Sequence, residues 1–245
     1  SHMFLFMPSI FIRQLTGEMV NDTTMAGTSM MMNQQERDFS DMILGKAGIS
    51  RELMGPLAEP GTIVGTLTRK AFEETSIPAG TPVVATGHDT QFAIFGSGAG
   101  KDEPVLSSGT WEILMVRAGS FRAGPEQLNM GITTELDARP GLFNIGTQWI
   151  ASGVIEWVRR NLFSDLGDDA FDKMIEGAEK VADGSNGVKV IPRFYEEREG
   201  RPGGQILGLT MDSTRDEIFR AVLESLSLRL AEGRTALENA GGFRA

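Results

Sequence analysis

Short apolar runs and amphipathic stretches alternate along the chain. Residues 81–86 form a β-branched run between glycine and proline, which predicts a buried strand. Ser213 opens a capping-box pattern, and apolar residues follow it with helical spacing, so a long helix is expected from about 213 to the glycines at 241 and 242. Because strand and helix patterns alternate, the sequence predicts an α/β fold.

Three further patterns define the middle of the chain. Residues 104–108 and 111–116 predict a β-hairpin whose turn is Gly109-Thr110. Residues 146–160 have helical spacing, which would place Trp149 and Trp157 on one helix face. The glycine-rich residues 96–101 resemble a Walker A loop but are one residue short, and Asp102 stands where Ser or Thr should bind magnesium. They are interpreted as an interdomain connection.

Composition narrows the functional classes. The chain has 245 residues, 40% of them hydrophobic and 23% charged, as in an ordinary folded protein. A net charge of -10 argues against nucleic-acid binding, which needs a basic surface. The chain has no cysteine, which excludes disulfides and thiolate chemistry. Its histidines are His2 and His88, which excludes a multi-histidine metal site. No stretch is apolar enough for a membrane span. The absence of cysteine fits a cytoplasmic protein, which is the expected location. The charge run at 196–199 is expected to form an exposed loop.

Two sites have candidate chemistry. Asp89 follows the strand of residues 81–86, where a carboxylate could take a proton from an alcohol during phosphoryl transfer. The alternative is an aspartate that caps the next helix. The turn at 107–110 could offer N–H groups and hydroxyls to phosphate oxygens, or be an ordinary tight turn. Local sequence alone favours the structural alternative in both places.

Several segments, taken in order, resemble one family. They are QLTGE at 14–18, GTPVVATGHDT at 80–90, PVLSSGTWEILMV at 104–116, GTQWIASGVIEWVRR at 146–160 and STRDEIFRAVLES at 213–225. This set resembles the FGGY carbohydrate kinases over nearly the whole chain. The resemblance implies an α/β, ribonuclease H-like (actin/hexokinase-like) kinase fold made of parts of two domains. Residues 4–101 would be the later part of the N-terminal, sugar-binding domain, and residues 102–245 the earlier part of the C-terminal, ATP-binding domain.

The resemblance also implies a reaction and its residues. ATP would phosphorylate the C1 hydroxyl of a ketose, with L-fuculose expected and L-rhamnulose the alternative, and Mg²⁺ would bridge the phosphates without a ligand assigned in the chain. Asp89 would be the general base. The sugar-binding residues would be His88, Thr90 and Gln91, and the ATP-binding residues Gly109, Thr110, Gly153 and Glu156.

The sequence also departs from the family pattern. It has neither the D-x-G-T phosphate hairpin expected before residue 4 nor the glycine-rich nucleotide segment expected after Phe243. The 245 residues by themselves are therefore expected to be inactive and to self-associate through surfaces that other segments would cover. A rival from another class stays open: a non-catalytic module that binds a sugar or a partner protein.

Overall fold

The computed structural model describes residues 2–194 and 203–241, and the charge run at 196–199 lies outside them. The α-helices of the described residues are α1 (Met7–Thr16), α2 (Thr23–Gly27), α3 (Asp41–Ala47), α4 (Arg69–Thr75), α5 (Asp89–Gly96), α6 (Pro125–Asn129), α7 (Ser152–Leu162), α8 (Ala170–Glu179) and α9 (Arg215–Gly241). The strands are β1 (Asn21–Asp22), β2 (Met32–Asn33), β3 (Asp38–Phe39), β4 (Leu57–Ala58), β5 (Ile63–Thr66), β6 (Pro82–Val84), β7 (Pro104–Ser108), β8 (Trp111–Ala118), β9 (Thr133–Leu136), β10 (Phe143–Ile150), β11 (Lys189–Ile191) and β12 (Gln205–Leu207).

The chain divides into two units. The first takes in the described residues up to Val105 together with Met115–Gly146, and the second takes in Leu106–Leu114 and the described residues from Thr147 onward. The expected boundary between residues 101 and 102 concerns the family's domains and stays a prediction.

Most of the described strands belong to two-stranded sheets. A four-stranded sheet has the order β7-β8-β10-β9, and β9 pairs antiparallel with β10. The other sheets are pairs: β1 is parallel to β4, whereas β2–β3, β5–β6 and β11–β12 are antiparallel. Helices and strands are therefore mixed, as the alternation of patterns predicts.

Local capping chemistry fixes several helix starts. The Ser40 side chain accepts the Ile43 N–H at the start of α3, and serine is among the residues favoured at this N-cap position. The long helix α9 is confirmed, but its capping box lies one residue later than the sequence suggests. Thr214 accepts the Glu217 N–H through its hydroxyl, and the Glu217 carboxylate accepts the Thr214 N–H at 2.8 Å.

Each unit has its own apolar core. In the first unit, Leu44 of α3 and Leu136 of β9 are fully buried in one cluster with Phe39 and Met54. In the second, buried side chains from α7, α8 and α9 pack together, and the rings of Phe163 and Phe219 lie edge-to-face at 6.1 Å.

One expected helical segment is wrong, and one expected strand is confirmed only in part. Residues 143–150 form the strand β10, and α7 begins only at Ser152, so Trp149 and Trp157 do not share a helix. In the four-stranded sheet β10 lies between β8 and β9, and pairing with these neighbours satisfies the backbone of residues whose spacing also suits a helix. The strand expected at 81–86 is shorter and less buried than predicted: β6 covers three residues, and Val84 is 42% exposed.

Candidate active site

Asp89 is the first residue of α5, and its carboxylate is available to a ligand. The side chain is 98% exposed, and its Oδ1 accepts the N–H of Thr90 at 2.7 Å. The helix starts favourably at Asp89, because an acidic residue is stabilised in the first turn, where the helix dipole presents its positive end. Asp89 thus occupies a helix start and still presents a carboxylate to solvent.

A buried contact fixes the backbone immediately before Asp89. The N–H of His88 donates to the hydroxyl of Thr24 at 3.0 Å, across 64 residues of sequence. The Thr24 hydroxyl in turn donates to Oδ1 of Asp22. The start of α5 is therefore tied to the start of α2.

Asp22 is fully buried beside this contact. Its Oδ1 accepts the N–H groups of Thr24 at 2.8 Å and Met25 at 3.0 Å, so it caps α2. Burial raises the pKa of the Asp22 carboxyl, and its hydrogen bonds to Thr24 and Met25 oppose that rise. The other oxygen, Oδ2, is buried without a partner among the described residues.

The strand that carries Asp22 is anchored on both sides. The Asn21 side chain accepts the Phe6 N–H at 3.1 Å and donates to the carbonyls of Phe4 and Met54 at 3.0 and 2.8 Å. Thr23 donates to the Glu59 carboxylate at 3.0 Å, and Arg37 pairs with the same carboxylate, with Nε–Oε1 at 2.6 Å. These bonds leave β1 little freedom to move.

The predicted sugar-binding residues lie around Asp89 in different environments. His88 is partly buried, with Nδ1 4.0 Å from the Asp89 carboxylate and without a hydrogen-bond partner among the described residues. Thr90 is partly exposed on the first turn of α5. Gln91 is fully buried, and its amide donates to Glu135 at 2.5 Å and accepts from Asn144. The Gln91 amide is therefore already bonded within the unit.

The bonds of Gln91 extend into a buried polar network. Asn144 donates to the Asp137 carboxylate at 2.8 Å, and Arg117 pairs with the same oxygen, with Nε–Oδ2 at 2.9 Å. Arg117 also donates to the Ala99 carbonyl, in the segment that follows α5. Both ends of α5 are thus attached to the β8–β10 region of the first unit.

The predicted phosphate-binding residues meet in the second unit. Gly109 and Thr110 connect β7 to β8, which confirms the hairpin. The Thr110 carbonyl accepts the N–H groups of Ala151 and Gly153 at 3.0 and 3.4 Å, and the Gly109 carbonyl accepts the Ser152 N–H at 3.3 Å. The turn therefore binds the N-terminus of α7, and these N–H groups are not free for an anion.

The Thr110 side chain is exposed at this turn and is available to a ligand. A Cβ added at Gly153 would lie 3.4 Å from the Thr110 methyl group and 2.9 Å from Ile150, so glycine keeps this corner open. Glu156, one turn further along α7, pairs with Arg159 at 2.7 Å. Its hydrogen bond with Arg159 lowers the pKa of the Glu156 carboxyl, which keeps it charged.

The described residues contain neither a cluster of metal ligands nor a membrane-spanning helix. No group of three or more His, Asp or Glu side chains in the described ranges could hold a metal ion. Within the same ranges, no helix is long and apolar enough to cross a bilayer.

Sequence reasoning did not select Asp22 and Thr24 as site residues. Asn21-Asp22-Thr23-Thr24 is a polar cluster shortly after the QLTGE segment at 14–18, and this position was the available signal. Its contact with the residues before Asp89 depends on tertiary structure and leaves no trace in local spacing.

The fold is the actin/hexokinase-like fold of sugar kinases. The xylulose kinase from Rhodospirillum rubrum matches with a TM-score of 0.83 at 21% identity, over 95% of this chain and 47% of that chain. Two family models also match: the N-terminal domain of the FGGY family of carbohydrate kinases over residues 1–96 and the C-terminal domain over residues 105–243. The chain belongs to the FGGY family of carbohydrate kinases.

The curated relatives that match the chain are also sugar kinases. An L-fuculokinase from Escherichia coli (strain K12) is 44% identical over 245 residues, which is 100% of this chain and 51% of the relative. A rhamnulokinase from Lactiplantibacillus plantarum is 27% identical over 251 residues, covering 98% of this chain and 49% of the relative. The chain thus spans about half the length of the curated relatives it matches.

Proposed function

We propose that the protein containing this chain phosphorylates L-fuculose at its C1 hydroxyl with ATP, in the cytoplasm. The observation that carries the proposal is the exposed Asp89 carboxylate, held at the start of α5 by the buried Thr24–His88 contact. Family membership supplies the reaction class, and the 44% identity to an L-fuculokinase favours that sugar. L-rhamnulose is the alternative sugar, supported by a relative of lower identity.

In this proposal Asp89 is the general base. Its carboxylate accepts the proton of the C1 hydroxyl while the sugar oxygen forms a bond to the γ-phosphorus, and the bond between that phosphorus and the bridging oxygen of ADP breaks. The proton passes from the sugar to Asp89, and ADP leaves with the electron pair of the broken bond. His88 and Thr90 lie beside the base and are proposed to hold the sugar hydroxyls, with Gln91 behind them.

The second unit would supply the contacts to ATP. The exposed Thr110 hydroxyl is proposed to donate to a phosphate oxygen, beside Gly109 and Gly153, which have no side chain to obstruct it. Glu156 completes the predicted ATP-binding set. When bound, Mg²⁺ would neutralise phosphate charge, and no described side-chain cluster is proposed to ligate it.

The decisive test replaces Asp89 with asparagine in the protein at the length its gene encodes. Asp89→Asn keeps the shape of the side chain but removes the base, so kcat should fall by roughly 10²-fold or more while the KM for L-fuculose stays close to wild type. A matched control is Asp41→Asn, because Asp41 is also an exposed aspartate at the first position of a helix. Wild-type turnover by Asp89→Asn would rule out the assignment.

A substrate panel distinguishes L-fuculose from the alternative sugar and from a non-catalytic sugar-binding module. The gene-length protein would be assayed for ADP release with L-fuculose, L-rhamnulose and D-xylulose at equal concentrations. The highest kcat/KM on L-fuculose supports the proposal, and a preference for L-rhamnulose would replace it with the alternative. Sugar binding by calorimetry without any ADP release would instead favour a non-catalytic sugar-binding module.

The 245 residues by themselves are proposed to lack turnover. They contribute a base and one phosphate-facing turn, whereas phosphoryl transfer requires the γ-phosphate, the metal and the hydroxyl to be held in line. A coupled ADP-release assay of the 245-residue polypeptide should therefore show no sugar-dependent rate. Turnover close to that of the gene-length protein would contradict this.

A further inference from the structure

The contact between Thr24 and His88 joins two distant segments immediately before the proposed base. His88 is the N-cap residue of α5, so its backbone torsion angles set the direction in which the helix begins. The Thr24 hydroxyl accepts the His88 N–H at 3.0 Å, and Thr24 itself is buried. Asp89 is the next residue, so its position follows from the orientation of His88.

Asp22 determines how the Thr24 hydroxyl is used. A hydroxyl has one hydrogen to donate and two lone pairs to accept with. Oδ1 of Asp22 accepts two backbone N–H groups and is therefore an acceptor. Its contact with the Thr24 hydroxyl must then use the hydroxyl hydrogen. With its hydrogen directed at Asp22, the Thr24 oxygen presents a lone pair to the His88 N–H.

Gly87 allows these groups to lie so close together. A Cβ added at Gly87 would lie 1.7 Å from Oδ1 of Asp22 and 2.2 Å from the Thr24 hydroxyl oxygen. Both distances are far below van der Waals contact, so a side chain at position 87 would push the 87–89 segment away from α2. Gly87, Thr24 and Asp22 therefore depend on one another: the close packing at the glycine allows the hydrogen bonds of the other two.

We infer that Asp22 and Thr24 are positioning residues for the proposed kinase reaction, which hold the His88–Asp89 backbone so that the Asp89 carboxylate is aimed at the sugar hydroxyl. Neither side chain is exposed, so neither is a catalytic residue. The inference rests on the proposed function, because positioning has meaning only if Asp89 takes part in the reaction. Misplacement of a reacting group by about 1 Å can cost on the order of 10²-fold in rate. Loss of the Thr24–His88 hydrogen bond should therefore lower kcat.

The test is a double-mutant cycle in the gene-length protein. Thr24→Val keeps the shape and removes the hydroxyl, and it should lower kcat about 10-fold with little change in the KM for ATP. Thr24→Ser restores the hydroxyl and should recover most of the loss. Thr28→Val is the matched control, because the Thr28 hydroxyl donates to the Met25 carbonyl at the other end of α2 and has no bond to residues 87–89.

The second arm repeats Thr24→Val in the Asp89→Asn background. If Thr24 acts through Asp89, its loss should cost less than about 2-fold there, because coupled residues are not additive. An equal loss in both backgrounds, no loss in the first, or failure of Thr24→Ser to recover activity would overturn the inference. If Thr24→Val does not fold, Thr24→Ala replaces it in the same cycle. Wild-type turnover by Asp89→Asn would instead overturn the base role of Asp89 in the proposed function, whatever the Thr24 variants do.

Discussion

The buried ion pair of Arg117 and Asp137 allows a sharp prediction about stability. Arg117 is 3% exposed and Asp137 is fully buried, with Nε and Oδ2 2.9 Å apart. Arg117→Met keeps the length of an apolar stem but removes the charge and the donors to Asp137 and to the Ala99 carbonyl. Asp137 would keep the Asn144 amide and the Arg139 N–H as donors, but its charge would be buried without a counter-charge.

The size of the effect follows from that environment. Removing one partner of a buried ion pair costs about 3–5 kcal/mol, because the remaining charge is desolvated and uncompensated. For a chain of this size, each kcal/mol lowers the melting temperature by about 2–4 °C, so Arg117→Met should lower it by about 6–20 °C.

Thermal unfolding of the 245-residue chain, followed by circular dichroism, measures this shift. The control is Arg69→Met, the same substitution in an exposed pair: Arg69 and Glu73 are 3.5 Å apart on α4 and are 90% and 63% exposed. Such a pair contributes at most about 0.5 kcal/mol, so the control should melt within about 2 °C of wild type. If Arg117→Met is no more destabilising than Arg69→Met, the reasoning about the network is refuted.

Three further predictions follow from other sites. Burial raises the pKa of the Asp22 carboxyl, so the stability contributed by its protonated form is present below its ordinary pKa of 3.8 and is lost as pH rises through the raised value. Melting curves should therefore show Asp22→Asn gaining on wild type as pH rises above about 4, and a difference that does not change with pH would contradict this. In the gene-length protein, Thr110→Val should raise the KM for ATP or lower kcat, and steady-state kinetics showing a change confined to sugar affinity would contradict the assignment. Thr214→Ala removes the hydroxyl that accepts the Glu217 N–H at the start of α9, which should cost about 1 kcal/mol, or about 2–4 °C in a thermal melt, and an unchanged melting temperature would contradict the capping role.

Elements with local signals could be predicted from the sequence. The start of α3 is set by Ser40, whose oxygen bonds an N–H three residues away, so the information lies within one turn of helix. The hairpin at Gly109-Thr110 is equally local, because two residues connect its strands. Even the error of one residue in the capping box of α9 reflects neighbouring hydroxyls, Ser213 and Thr214, that compete for the same role.

Elements decided by distant partners could not be predicted. Residues 143–150 form a strand between β8 and β9, and the helical apolar spacing around Trp149 and Ile150 gives no warning of these partners. The same limit applies to the candidate site. Sequence order points to Asp89 as the candidate base, but the Thr24 hydroxyl that fixes its neighbour lies 64 residues from His88.

The close approach at Gly87 also restricts how this protein can change by mutation. Any side chain at position 87 would overlap Asp22 and Thr24, since even a methyl carbon would lie 1.7 Å from the Asp22 carboxylate. A substitution at 87 is therefore tolerable only together with a smaller residue at 22 or 24, and that second change alters the Asp22–Thr24–His88 contact. Single-substitution libraries should show position 87 as fixed, and variants that escape should carry paired changes.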